Sequence, residues 1–286
     1  MRRFTAAHLG ALLTALSMLL FAVMDATSKI LVRDYPVSEA LWIRYMIFTL
    51  FTLALAWPHG IRRVAHSAKP WLQATRALLS VFESACFVIA FRYLPLADTH
   101  AVAASSPLMV VALSAPVLGE RIGLHRWLSV LAAFAGVLLI IRPGFGHLSW
   151  PLFIPLLGAL LWAVYQIMVR FLARDDRPET TLLWSAGVGL IAISLVAPWE
   201  FRAPDALGWT LLTAVGVLGS LAHYALIHAL DFAEAGAVQP YAYTLLVWAA
   251  LLGWLVFGDV PGLWTILGAC IVVLSGLYAW ARAGSA

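Results

Sequence analysis

Charge is what this chain of 286 residues has least of: 11% of its side chains are Asp, Glu, Lys or Arg, against roughly 25% in soluble domains. Water would drive such a surface to aggregate, whereas lipid solvates it, which all but excludes a soluble fold. Lysine is scarcer still. Lys29 and Lys69 are the only two, and neither stands in a G-x-x-x-x-G-K phosphate loop, which disfavours a primary pump. The two cysteines, Cys86 and Cys270, both lie in apolar runs without metal-ligand spacing and read as small hydrophobes rather than a disulfide. There is no His-Glu-x-x-His and no Cys/His cluster, so neither a metal nor a cofactor is expected. An intramembrane enzyme would need a nucleophile and base at depth. No G-x-S-x-G occurs, and Ser84 adjoins Glu83 in sequence without sharing its helix face.

What remains is 63% hydrophobic and falls into runs near the roughly 20 residues that cross a bilayer as helix. Ten spans are predicted, at about 8–31, 37–57, 72–92, 97–118, 124–141, 150–172, 180–198, 207–229, 234–257 and 262–281. Charges and breakers mark the joints, among them Arg33-Asp34-Tyr35-Pro36, Gly119-Glu120-Arg121 and Gly258 to Pro261. The net charge of +4 is explained by position rather than by nucleic acid. Twelve basic residues fall on the side of both termini, five fall opposite, and Arg44 lies within span 2. Basic loops stay inside the cell, so both termini are expected in the cytoplasm of a bacterial inner-membrane protein.

The chain repeats itself. Residues 21–34 (FAVMDATSKILVRD) align without gaps on 162–175 (WAVYQIMVRFLARD), and one insertion later Trp42 falls on Trp184. A removable leader has no reason to match an interior span, so the first helix is expected to stay. The unit contains five spans, an odd number, so the second copy enters the membrane from the opposite face. Residues 1–143 and 144–286 are therefore expected to be inverted repeats, the usual plan of secondary transporters, with a site near the midplane. A passive scaffold would have no use for deep polar residues or for this duplication.

The block FRYLPLADTHAVAASSPLMVVALSAPVLGERIGLHRWLSVLAAFAGVLLIIRPG resembles that of the EamA family, within the drug/metabolite transporter superfamily. GSLAHYALIHALDFAEAGAVQPYAYTLLVWAALLGWLVFGD resembles its second-repeat counterpart, with Gly258-Asp259 where many members have Gly-Glu. The resemblance implies an all-α membrane protein of ten helices around a cavity lined mainly by spans 1, 3, 4, 6, 8 and 9. Members move amino acids, nucleotide-like metabolites, vitamins or S-adenosylmethionine. The YddG-type amino-acid exporters are the expected match. Export of amino acids and related amphipathic metabolites is the expected function, and import of riboflavin or S-adenosylmethionine is the alternative. A monomer or loose dimer is expected.

Polar residues within spans need a reason, since a charge at a helix centre costs about 2.5–3.5 kcal/mol by insertion scales. Asp25 and Lys29 are four apart on one face and read either as a pathway pair or as a self-neutralising one. Glu83 reads as a proton carrier or ammonium partner, or as half of a structural pair with Arg44. His100, His223 and His228 are either hydrogen-bonded in place or part of the pathway, and of His223 and Tyr224 at most one faces a cavity. Trp162, Tyr165 and Gln166 in span 6, with Gln239, Tyr241 and Tyr243 in span 9, offer flat surfaces and hydrogen bonds suited to amphipathic substrates. Pro107 and Gln239-Pro240 read either as interruptions of spans 4 and 9 that free carbonyls toward a cavity or as simple packing kinks, and Gly216, Gly219, Gly268 and Gly276 are expected to permit close helix contact.

Overall fold

The computed structural model describes residues 2–118, 123–141, 150–172, 175–232 and 241–283, and every regular element among them is helical. In order these are α1 (Arg2–Leu31), α2 (Val37–Ala56), α3 (Ile61–Ala65), α4 (Pro70–Tyr93), α5 (Leu96–Ala103), α6 (Ser106–Leu118) and α7 (Leu124–Ile141). There follow α8 (Phe153–Leu172), α9 (Pro178–Ser194), α10 (Ala197–Glu200), α11 (Ala206–Phe232), α12 (Thr244–Phe257) and α13 (Leu263–Ala283). A helix satisfies its own backbone, which lipid requires. The buried hydroxyls of Thr14, Ser28 and Ser220 each bond back to the carbonyl four residues earlier, so they add no unpaired donor.

Among the described residues seven stretches have the length and hydropathy to cross a membrane, fewer than the ten expected. The other three expected spans are occupied by α7, α9 and α12, of 18, 17 and 14 residues. Each falls below the roughly 20 residues of a full crossing. Apolar side chains cover the outside, with Leu12, Leu131 and Leu274 at 67%, 61% and 65% exposure, as a lipid-facing surface requires.

Pro107 sits in the first turn of α6, and the break in span 4 precedes it, at Ala104 and Ser105. A proline clashes with the carbonyl four residues before it and cannot donate to it. That carbonyl belongs to Ala103, the last residue of α5, and the Ser106 hydroxyl takes it instead. Pro240, Gln239 and the turn Gly119-Glu120-Arg121 lie outside the described residues.

The main packing pairs are α1 with α11, α4 with α8, α7 with α13 and α2 with α9. Helices α7 and α13 approach through glycine: a Cβ on Gly136 would stand 2.8 Å from the Gly268 carbonyl oxygen, and one on Gly268 2.6 Å from that of Gly136. Helices α2 and α9 run antiparallel. Near the start of α2, the Trp42 indole donates to Ser194 Oγ at the end of α9 (2.8 Å). At its other end, Ala56 packs with Val64 and with Leu183 near the start of α9. Seventeen residues of α9 at about 1.5 Å each hold these ends about 25 Å apart.

Candidate functional site

Between the two ends lies a small polar cavity, enclosed by α2, α4, α8, α9 and α11. Its polar lining is Arg44, Tyr45, Ser80, Tyr165, Ser185, Ser220 and His223. The free volume is about 30 Å³. A water molecule needs roughly 10–15 Å³ by this measure, while ligand pockets run to about 300–1,000 Å³. This conformation therefore has room for water but not for a metabolite.

The walls are held from behind. His223 Nδ1 lies 2.8 Å from the Gly219 carbonyl; a carbonyl only accepts, so Nδ1 carries the proton and a neutral ring presents Nε2 as an acceptor. Phe21 meets that ring edge-on at 4.9 Å and Phe48 lies 5.4 Å away. Tyr165 stacks on Trp162 at 5.0 Å, and the Arg76 guanidinium lies 5.0 Å from the Tyr165 ring centre. Arg44 is half-buried beside Gly219, its Nε 3.6 Å from where a Cβ would stand there.

At the end where α1 finishes, two side-chain contacts bring separate elements together. Lys29 Nζ donates to Asp259 Oδ2 (2.7 Å) and to the Leu94 carbonyl (3.1 Å), and lies 4.7 Å from the Phe257 ring centre. Asp259 is aimed by the end of α12. Gly258, at φ +72°, donates to the Trp254 carbonyl and Asp259 N–H to that of Gly253, an αL cap that needs the left-handed conformation glycine adopts freely. Asp25 Oδ2 stands 3.2 Å from His100 Nε2. That nitrogen has no aligned hydrogen bond, so the contact is one of proximity rather than a directed bond. Nearby, fully buried Glu39 accepts the Arg202 N–H (3.0 Å), and Arg92 donates to the carbonyls of Val32 and Tyr35.

At the other end the centre is Arg76, fully buried with Gln73. Arg76 donates through Nε and Nη2 to Gln73 Oε1 (3.1 and 3.0 Å) and through Nη2 to the Thr181 carbonyl (2.8 Å). Gln73 Nε2 donates to Asp176 Oδ2 (2.8 Å), which also takes the Ser67 hydroxyl, while Ala68 N–H reaches Oδ1 (2.9 Å). Burial pushes the Asp176 carboxyl up, but the donors Ser67, Gln73 and Ala68, with His66 nearby, outweigh it and hold the group below the usual carboxylate range. Lys69 pairs with Asp175 outside this network (2.8 Å).

Two expected pairings are corrected. Asp25 and Lys29 do not pair with each other: Lys29 bonds Asp259, and Asp25 stands beside His100. Glu83 and Arg44 do not close a salt bridge. Among the described residues neither joins an ion pair, and Glu83 takes only the Ser84 hydroxyl (3.2 Å). Of the expected site residues, Tyr165 lines the cavity and Trp162 backs it, while Gln166 is half-buried outside the lining. His228 packs edge-on against Tyr224 at 4.2 Å, and Tyr241 is 41% exposed. Tyr243 lies over Gly276, where a Cβ would stand 1.8 Å from its hydroxyl. Gln239 lies outside the described residues. Of His223 and Tyr224 it is His223 that faces inward. Tyr45, Ser80 and Ser185 were not singled out by sequence; the one signal for Ser80 is its place three residues before Glu83 on the same helix face.

A family model described as the EamA-like transporter family matches residues 8–142 and again residues 148–279. A riboflavin transporter of Rhizobium johnstonii is 28% identical over 282 residues, 95% of this chain and 91% of that protein. The pseudopaline exporter CntI of Pseudomonas aeruginosa is 31% identical over 271 residues, 93% of this chain and 94% of that one. An S-adenosylmethionine uptake transporter of Rickettsia felis is 24% identical over 263 residues, 92% and 89% of the two. A protein of known crystal structure superposes with a TM-score of 0.63 at 19% identity, over 96% of each chain, a likeness of fold.

Proposed function

Because the chain belongs to the EamA-like transporter family, we propose that it is a secondary transporter exporting amino acids and related metabolites by alternating access. The membrane-spanning chain is a transporter and not an enzyme, and its cargo is a small molecule. The reading assigns it to a bacterial inner membrane with both termini in the cytoplasm. Ten helices would form two inverted repeats, residues 1–143 and 144–286. Support for the repeat comes from the packing, whose main pairs survive exchange of the halves. Exchange turns α1 on α11 into α8 on α4, and α2 on α11 into α9 on α4; it leaves α2 on α9 and α7 on α13 unchanged.

The observation that carries the transport cycle is a polar cavity of about 30 Å³ with bonded closures at both ends of the α2–α9 pair. Alternating access needs such an occluded intermediate, from which either end opens. Import of a larger compound is the second reading, favoured by the riboflavin and S-adenosylmethionine transporters among the relatives. Uptake into proteoliposomes of labelled threonine, methionine, phenylalanine, riboflavin and S-adenosylmethionine, with and without a proton gradient, separates the two. Saturable amino-acid flux is expected. Flux of the two larger compounds alone would replace the first reading with the second.

A further inference from the structure

Arg44 is an unusual arginine for a membrane interior. It stands eighth of the 20 residues of α2 and lines the central cavity. Among the described residues its guanidinium makes no hydrogen bond and no ion pair. A guanidinium has five donors in a planar fork, and those of Arg44, half-buried at the cavity wall, are turned to the cavity rather than to described protein groups. Arg76, by contrast, engages Gln73 and Thr181. Glu83, the deep carboxylate of α4, sits one helical turn beyond the lining Ser80 and outside the lining itself, and among the described residues only the Ser84 hydroxyl donates to it. It lies within electrostatic reach of Arg44 and Asp25. Helices α2 and α4 pack together, yet these opposite charges stop short of closing the pair that would satisfy both.

Two poles of opposite sign, held on neighbouring helices and left apart beside a cavity, fit a ligand that carries both charges itself. We infer that Arg44 and Glu83 are the two ends of a receptor for a zwitterion, with Arg44 taking the carboxylate and Glu83 the ammonium of an α-amino acid. The inference rests on the amino-acid reading above and assigns its recognition to particular residues. A carboxylate suits the arginine fork, which offers two parallel hydrogen bonds. Phe48 and Leu182 in the same lining provide apolar surface for the ligand side chain as the cavity widens.

Competition against labelled phenylalanine in proteoliposomes tests this, using 2-phenylethylamine, which lacks the carboxylate, and N-acetylphenylalanine, which lacks the ammonium. For the wild-type protein both analogues should compete at least about tenfold worse than phenylalanine, the scale of one charged hydrogen bond. Arg44→Gln should erase the preference over phenylethylamine, Arg44→Lys should restore part of it, and Glu83→Gln should erase the preference over N-acetylphenylalanine. If wild-type protein accepts phenylethylamine as readily as phenylalanine, the receptor assignment is wrong whatever the variants do. It is equally wrong if monodisperse Arg44→Gln keeps the wild-type preference. Absence of any phenylalanine uptake by the wild type would instead overturn the amino-acid reading itself, and the receptor with it.

Discussion

At the end where α1 finishes, the contacts are separate: Lys29 to Asp259 and Asp25 beside His100, each joining one element to another. At the opposite end, one buried arginine and one carboxylate are wired into a single network. There Gln73 receives two donors from Arg76, and Asp176 receives donors from Ser67, Ala68 and Gln73. Links that share no atoms can be broken one at a time, whereas bonds that share acceptors stand or fall together. The ends thus differ in cooperativity more than in the number of bonds, and the network end should open in one larger step.

The sharpest way to break this comparison is Arg76→Met. It leaves the buried Gln73 Oε1 without either of its donors and should cost about 2–4 kcal/mol, read by denaturant unfolding in detergent. Lys29→Met at the other end should cost less, about 1.5–3 kcal/mol for a charged hydrogen bond. Asp259 retains 29% side-chain exposure and can find other solvation. An equal or larger loss for Lys29→Met would invert the assignment of the two ends. Trp42 and Trp184 offer a finer test, because each indole pins one end of the α2–α9 pair, to Ser194 and to the Ala65 carbonyl (3.0 Å). Replacing either by Phe should cost about 1 kcal/mol; a clear inequality would make one end the more dependent on its tryptophan.

The smallest expected effect is on acid stability. The folded Asp176 carboxyl is held below the usual carboxylate range, so its contribution is present above the unfolded value near 3.9. It fades as pH falls below that toward the folded value. Thermal unfolding scanned from pH 7 to pH 3 should therefore fall more steeply for wild type than for Asp176→Asn. Parallel curves would mean that the carboxylate is not what ties Ser67, Ala68 and Gln73 together.

Much of the helical layout was legible in the residues, because spans and breaks depend on local chemistry. Pro107 announced a break in span 4, and the carbonyl it leaves free is found one turn back, in the hand of Ser106. Partnership was not legible. Asp25 and Lys29 share a face by spacing, but Asp259 is 230 positions from Lys29, and periodicity reports a helix face without saying which helix lies against it. Glu83 and Arg44 were paired because their spans are consecutive, and the missing contact depends on side-chain reach, which spacing does not encode. Tyr243 was expected in the cavity on chemical character alone, and its hydroxyl instead covers the notch left by Gly276. Ser80 and Ser185 look like the other small residues of their helices until α2 and α11 close the space around them.

The Tyr165 ring belongs to two neighbourhoods at once. Part of it borders the cavity, and the Arg76 guanidinium lies 5.0 Å from its centre. Packed interiors pass displacement from atom to neighbouring atom. In the proposed cycle, cargo large enough to push this ring aside would disturb the arginine at one end of the chamber, an occupancy signal written in a single phenol.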